Sequence, residues 1–178
     1  DGINWSTYKN PWGSSNTTML PQTIRFNNDG TKMYLTEAVI NTTDPQESVG
    51  VVQYNLATPF VPSSTTTVQV LNLRAQFPKT NIAIHAMNFD DDGTRMYVSA
   101  GNFNEETDHP HAVYELSIPF EISSAKHVGT FNFVNASGGG VRAVGGVFSE
   151  DGNKYYMTTG NGNSVVEYTL TCPFGLVI

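Results

Sequence analysis

Tyr54-Asn55-Leu56-Ala57-Thr58-Pro59-Phe60 is a phrase that this chain writes three times. It returns as Tyr114-Glu115-Leu116-Ser117-Ile118-Pro119-Phe120 and as Tyr168-Thr169-Leu170-Thr171-Cys172-Pro173-Phe174. A second phrase precedes each copy: Phe26-Asn27-Asn28-Asp29-Gly30-Thr31-Lys32-Met33-Tyr34, then Phe89-Asp90-Asp91-Asp92-Gly93-Thr94-Arg95-Met96-Tyr97, then Phe148-Ser149-Glu150-Asp151-Gly152-Asn153-Lys154-Tyr155-Tyr156. Two phrases recurring in the same order, about 60 residues apart, form an internal repeat, and a repeat of that length implies one small all-β unit per copy. Its anchoring positions are Gly30, Tyr54 and Pro59 in the first copy, Gly93, Tyr114 and Pro119 in the second, and Gly152, Tyr168 and Pro173 in the third.

The Asp-Gly phrase reads as a β-hairpin. In the second copy Ile84, Ala86 and Asn88 alternate with His85, Met87 and Phe89 before the turn, and Met96 to Ser99 follow it. Glycine there supplies the positive φ that such a turn or its bulge requires. Lys32, Arg95 and Lys154 follow each turn and are expected to keep its tip solvated. The Tyr-x-Leu phrase supplies a third strand, over Val51 to Leu56, Ala112 to Leu116 and Val165 to Leu170, each alternating with period two. Pro59, Pro119 and Pro173 cannot donate to a ladder, so each strand stops before them. A fourth run follows in two copies, Thr66 to Leu73 and Lys126 to Val134. The spacing predicts four-stranded antiparallel meanders joined by surface loops of variable length, Ile40 to Val49, Gly101 to His111 and Gly160 to Asn163. No segment carries helical periodicity.

The third copy ends before a fourth strand, whereas Ile3, Trp5 and Tyr8 lie in a spare strand-like piece ahead of the first. The expected organisation is an N-terminal strand segment over 1–19, a first unit over 20–78, a second over 79–140 and an incomplete third over 141–178. The N-terminal strand is expected to complete the last unit, either of its own chain or of a neighbour by strand addition.

Composition narrows the function classes. Hydrophobic content is 39% and charged content 14%, the latter well below the usual quarter, with Ser, Thr, Asn and Gly filling the gap as in secreted or surface β proteins. A net charge of −7 with no Lys/Arg cluster argues against nucleic acid as a partner. No apolar run approaches the roughly 20 residues of a membrane-spanning helix, so membrane insertion is not expected. The chain begins at Asp1, as after removal of a leader or as part of something longer. Cys172 has no second cysteine to pair with. Asn4, Asn16, Asn41 and Asn135 open glycosylation-type tripeptides, which chance also produces in a chain this rich in Asn, Ser and Thr.

Candidate chemistry is sparse. Asp90-x-Asp92-Gly93 is similar to the opening of a calcium loop, but no glutamate follows at loop position twelve, and Asp capping a hairpin turn accounts for all three acidic turns. His109 and His111, beside Glu105, Glu106 and Asp108, have metal-ligand chemistry, but the other copies lack them and a solvated loop is the expectation. Gly138-Gly139-Gly140 has no Lys-Ser/Thr after it and reads as a linker. Cys172 takes the slot of Thr58 and Ile118, as a small packed side chain would. Trp5, Tyr8 and Trp12 suit sugar stacking or the anchoring of an exchanged strand equally. No catalytic, cofactor or metal residue is assigned.

The Phe-x-x-Asp-Gly-x-Lys-x-Tyr hairpin followed by Tyr-x-Leu-x-x-Pro-Phe resembles blades of β-propellers, of the YVTN/lactonase-like and WD40-like kinds, and the DGTKMY-type repeats of bacterial surface and phage structural proteins. The resemblance covers about residues 20–178. It implies propeller blades and says little of function, since propellers host enzymes, binders and scaffolds alike. In lactonase-like enzymes His, Arg and carboxylates act around a central channel, a place that His85 and Arg142 match in position; a packing or edge role is the expectation for both. Propellers close with about four to eight blades, and three are too few. The expectation is therefore a non-enzymatic structural subunit of an extracellular, cell-surface or virion assembly, with copies of itself as partners and glycans as a further class. A carbohydrate- or ligand-binding propeller module and a lactonase-like hydrolase are the alternatives.

Overall fold

The computed structural model describes residues 18–40, 49–77, 82–102, 109–133, 143–160 and 164–176. The described residues are all-β and fall into three antiparallel sheets. The first orders β1 (Thr18–Phe26), β2 (Lys32–Ile40), β3 (Val49–Leu56) and β4 (Thr65–Asn72) in sequence. The second does the same with β5 (Ile82–Phe89), β6 (Arg95–Asn102), β7 (Pro110–Leu116) and β8 (Ala125–Asn132). The third pairs β9 (Ala143–Phe148), β10 (Lys154–Thr159) and β11 (Ser164–Thr169). The expected meanders are present, with fourth strands within two residues of their expected ends. Beside β11 no fourth strand stands among the described residues. Ile3, Trp5 and Tyr8, like Asn4, Asn16, Asn41 and Asn135, lie outside the described residues.

Each repeat closes on itself through one contact. The Asp-Gly turn is shaped by its own carboxylate: Asp29 Oδ1 accepts from the Thr31 amide at 2.9 Å and the Thr31 hydroxyl at 2.6 Å, and Asp92 does the same with Thr94. Gly30, Gly93 and Gly152 then take φ of 71°, 72° and 68°, a region that side chains disfavour. The Pro-Phe phrase folds back onto that glycine. The amides of Phe60, Phe120 and Phe174 donate to the carbonyls of Gly30, Gly93 and Gly152 at 2.9, 2.9 and 2.7 Å. These phenylalanines themselves have positive φ, 60°, 58° and 53°, a conformation that costs a residue with a Cβ roughly 1–2 kcal/mol. The ring occupies the space a glycine Cβ would need: a Cβ at Gly93 would lie 2.3 Å from the Phe120 ring. Its other side meets the phenylalanine that opens the hairpin, with centroids 5.4, 5.2 and 5.2 Å apart in Phe26–Phe60, Phe89–Phe120 and Phe148–Phe174. Aromatic pairing of this kind offsets part of the strain, with five of the six rings half-buried and Phe60 exposed.

The sheets stack face to face by a second recurring contact. The Tyr34 hydroxyl donates to the Phe120 carbonyl at 2.5 Å, and the Tyr97 hydroxyl to the Phe174 carbonyl. Each tyrosine ring also meets the first-strand phenylalanine of the following sheet, Phe89 at 4.8 Å and Phe148 at 4.9 Å. Burial raises the Tyr34 hydroxyl pKa and pushes that of Tyr97 up to about 12, so both stay protonated donors. One apolar core lies between the first and second sheets, around Tyr34, Ile84, Met96, Val98 and Tyr114. A second, around Tyr97, Phe133, Tyr155 and Met157, joins the second to the third. A third, of Met33, Leu35, Val52, Tyr54 and Leu56, is buried on the opposite face of the first sheet.

Three expectations are corrected. Lys32 does not stay at a solvated tip: it reaches the next sheet, 2.9 Å from Glu121 and 3.2 Å from the Phe120 carbonyl. Burial of Glu121 opposes its charge, yet bonds from Lys32 and Gln53 outweigh this and hold its pKa down. Cys172 is exposed and is no packed side chain, because the Pro-Phe turn carries it outward. The alternation expected around His85 is broken by a register shift between Ile84 and Ala86, and His85, like the rest of β5 before Phe89, is buried.

The turn contact is testable at Gly93. In Gly93→Ala the methyl meets both an unfavourable φ and the Phe120 ring, so unfolding free energy should fall by at least ~1–2 kcal/mol. Denaturant titration against the unaltered chain measures it. An unchanged midpoint would mean the ring does not hold this turn.

Candidate functional site

Three places gather polar side chains. The first is inside the second sheet, at the end remote from the Asp-Gly turn. Gly101 has no side chain, and a Cβ there would lie 2.1 Å from His109 Nδ1 and 3.0 Å from His85 Cδ2, so both imidazoles crowd onto its backbone. His111 stands across β6, its Nδ1 sharing a 2.7 Å hydrogen bond with Ser99 Oγ, its ring stacked on Phe131 and edge-on to Phe133. His85, His109 and His111 are only 6%, 1% and 3% exposed. The solvated loop expected at His109 and His111 is thereby corrected: Pro110 opens a strand, and the alternation of β7 turns His111 inward.

Chemically this cluster is inert to solvent. Burial, with His109 as a lesser cause, pushes the His111 pKa down to about 3. A neutral imidazole that poor in basicity cannot activate Ser99 near neutral pH, and Ser99, 3% exposed, meets no substrate. Among the described residues no three His, Cys, Asp or Glu side chains are placed to hold a metal ion together. The acidic turns are likewise committed internally, Asp92 and Asp151 accepting from their own turn residues.

The second place is a cleft of about 250 Å³ at the turn end, where β1, β5 and β9 converge. Arg25, Asn28, Asn88, Asp90 and Glu150 line it over a floor of phenylalanine rings. The Asn28 side chain bridges to the Asp91 carbonyl at 2.8 Å and that of Asn88 to the Gly146 carbonyl at 2.9 Å. Burial lowers the Arg25 pKa and raises that of Asp90. Arg142 and Gly138-Gly139-Gly140, like Glu105, Glu106, Asp108 and Trp12, lie outside the described residues.

The third place is a whole face. Strand registers make five positions equivalent in the three sheets. In the first they are Arg25, Tyr34, Thr36, Val51 and Gln53. In the second they are Asn88, Tyr97, Ser99, His111 and Val113, and in the third Val147, Tyr156, Thr158, Val165 and Glu167. In the first two sheets this face packs on the following sheet: the Thr36 hydroxyl donates to the Ile84 carbonyl at 3.1 Å, and the Gln53 side-chain Oε1 accepts from the Ile122 amide at 3.0 Å. In the third sheet it is open, with Val147 49% and Val165 67% exposed. Repetition of the phrases was the signal that could have located this face, since equivalent positions must either find equivalent neighbours or lack them.

Burial of His111 is expected to make stability pH-dependent. The unfolded pKa of histidine is about 6.5, so a depressed folded value means stability that is complete above about 6.5 and is lost as pH falls towards 3. Thermal melting between about pH 7.5 and 4.5 should show a smaller drop in His111→Asn, which retains a polar atom near the Ser99 hydroxyl, than in the unaltered chain. Parallel curves would place the acid sensitivity elsewhere.

No protein-family model matches this chain, and no curated protein matches it. Among solved structures it is similar to hydrazine synthase from Kuenenia stuttgartiensis, at a TM-score of 0.54 and 13% identity over 87% of this chain. That match spans 46% of the synthase chain, so the chain corresponds to about half its length, and the likeness is one of fold alone.

Proposed function

We propose that this chain is a non-enzymatic structural subunit of an extracellular or virion-associated assembly, built from propeller-type blades. The observation that carries the reading is the open face of the third sheet. Positions that are buried twice within the chain, at Tyr34, Thr36, Val51 and Gln53 and again at Tyr97, Ser99, His111 and Val113, are 0–4% exposed; their counterparts at Thr158, Val165 and Glu167 are exposed. A face whose sequence matches two that pack, and which itself packs on nothing described, is the kind of surface a subunit contact covers. His85, once matched in position to a hydrolase channel, is buried in β5 where no ester reaches it, so it lends that alternative no support.

Light scattering and electron microscopy of the purified protein, repeated after deletion of residues 1–9, test the reading. Rings or filaments that come apart on deletion support it together with strand exchange. A monomer at every concentration, unaffected by the deletion, would overturn it.

The turn-end cleft favours one second reading, a carbohydrate- or ligand-binding module, because polar side chains over aromatic rings suit a sugar. Calorimetric titration with a glycan panel should then give saturable binding that is lost in Arg25→Ala. Heats indistinguishable from dilution across the panel would remove this alternative.

A further inference from the structure

Among the described residues, the rule that stacks one sheet on the next leaves one donor and one acceptor over. Three tyrosines occupy the donor position, Tyr34, Tyr97 and Tyr156, and three left-handed phenylalanines present the acceptor carbonyl, Phe60, Phe120 and Phe174. Tyr34 takes Phe120 and Tyr97 takes Phe174. Tyr156 remains at one end of the stack and the Phe60 carbonyl at the other. We infer that two copies of this chain join head to tail, the Tyr156 hydroxyl of one donating to the Phe60 carbonyl of the next. The inference rests on the assembly reading above and names the joint.

The surroundings of the two leftover groups match each other. Each internal joint also places the tyrosine ring against a first-strand phenylalanine, and Phe26, half-buried beside Phe60, is that residue for the next copy. Apolar surface is exposed at both ends, Ile24 at 48%, Phe60 at 56% and Val61 at 38% on the first sheet, Val147 at 49% on the third. Charge agrees as well. At the first internal joint Lys32 requires Glu121, the residue after Phe120. After Phe60 stands Val61 instead, and the lysine that would face it, Lys154, is neutralised within its own sheet by Glu167 at 2.9 Å. The remainder of the outer face of the first sheet, from Met33 to Leu56, is already buried, so the joint is confined to the turn end. Unlike ends that fit each other make a heterologous contact, which closes into a ring or runs on as a filament according to the rotation at each step.

Sedimentation across a concentration series, with circular dichroism melts as the folding control, tests the joint on the intact chain. Tyr156→Phe should weaken self-association about fivefold, the loss of one neutral hydrogen bond, and Val147→Glu by more than ~tenfold, both with melts unchanged because Val147 is exposed and Tyr156→Phe keeps the half-buried ring. Benzoylphenylalanine at position 147 should photo-cross-link one copy to the segment 26–61 of another. A chain that is monomeric at all concentrations would overturn the joint and the assembly reading together. Assembly that persists with unaltered affinity in both variants, or that cross-links elsewhere, would overturn the joint and leave the assembly reading standing. Assembly lost only on deletion of residues 1–9, with both variants unaffected, would do the same.

Discussion

The fold depends on a phenylalanine ring laid over a glycine. In each repeat the chain must leave the third strand, cross the tip of the hairpin and start again, and nothing in a sheet ladder directs it there. The Phe amide bonded to the Gly carbonyl closes the path, and the ring fills the space that the missing Cβ leaves. The phenylalanine takes positive φ for this, and the second phenylalanine at about 5 Å offsets part of that cost through the contact between the rings. This contact ties the end of the third strand to the hairpin turn in each repeat.

That contact sets how units meet. A left-handed Phe turns its carbonyl away from its own sheet, so the acceptor is presented to a neighbour, and Tyr34 and Tyr97, each after an Asp-Gly turn, are the groups that reach it. The same geometry explains why Lys32 leaves its turn for Glu121 and why Gln53 is wholly buried, bonded to the Ile122 amide. Because each contact runs from one unit to the following one, the stack has direction, and directional stacks have unlike ends. The described chain contains no contact that joins those ends.

The buried histidines show the other consequence of stacking. His111 occupies the register position of Val51 and Val165, and its Nδ1 shares a hydrogen bond with the Ser99 hydroxyl. A titratable ring in a place made for an aliphatic one stays neutral, and the stability it contributes holds only while it does. Proximity of Ser and His therefore signifies packing here, since exposure and basicity, both required for nucleophilic chemistry, are absent.

The sequence by itself determined the repeat, its all-β character, the Asp-Gly hairpins with glycine at positive φ and the meander order, because these follow from local turn chemistry and period-two alternation, which act over a few residues. It also contained the equivalence of Tyr34, Tyr97 and Tyr156. Only the tertiary structure decided that His109 and His111 are buried, that Cys172 is exposed, that Lys32 pairs with Glu121 and that Phe60, Phe120 and Phe174 adopt left-handed backbone. Each of those outcomes depends on groups brought together across one sheet or between two, and a polar residue that reads as solvated in the chain becomes buried when another sheet lies on it. Burial is a property of the neighbour, and the neighbour is tens of residues away.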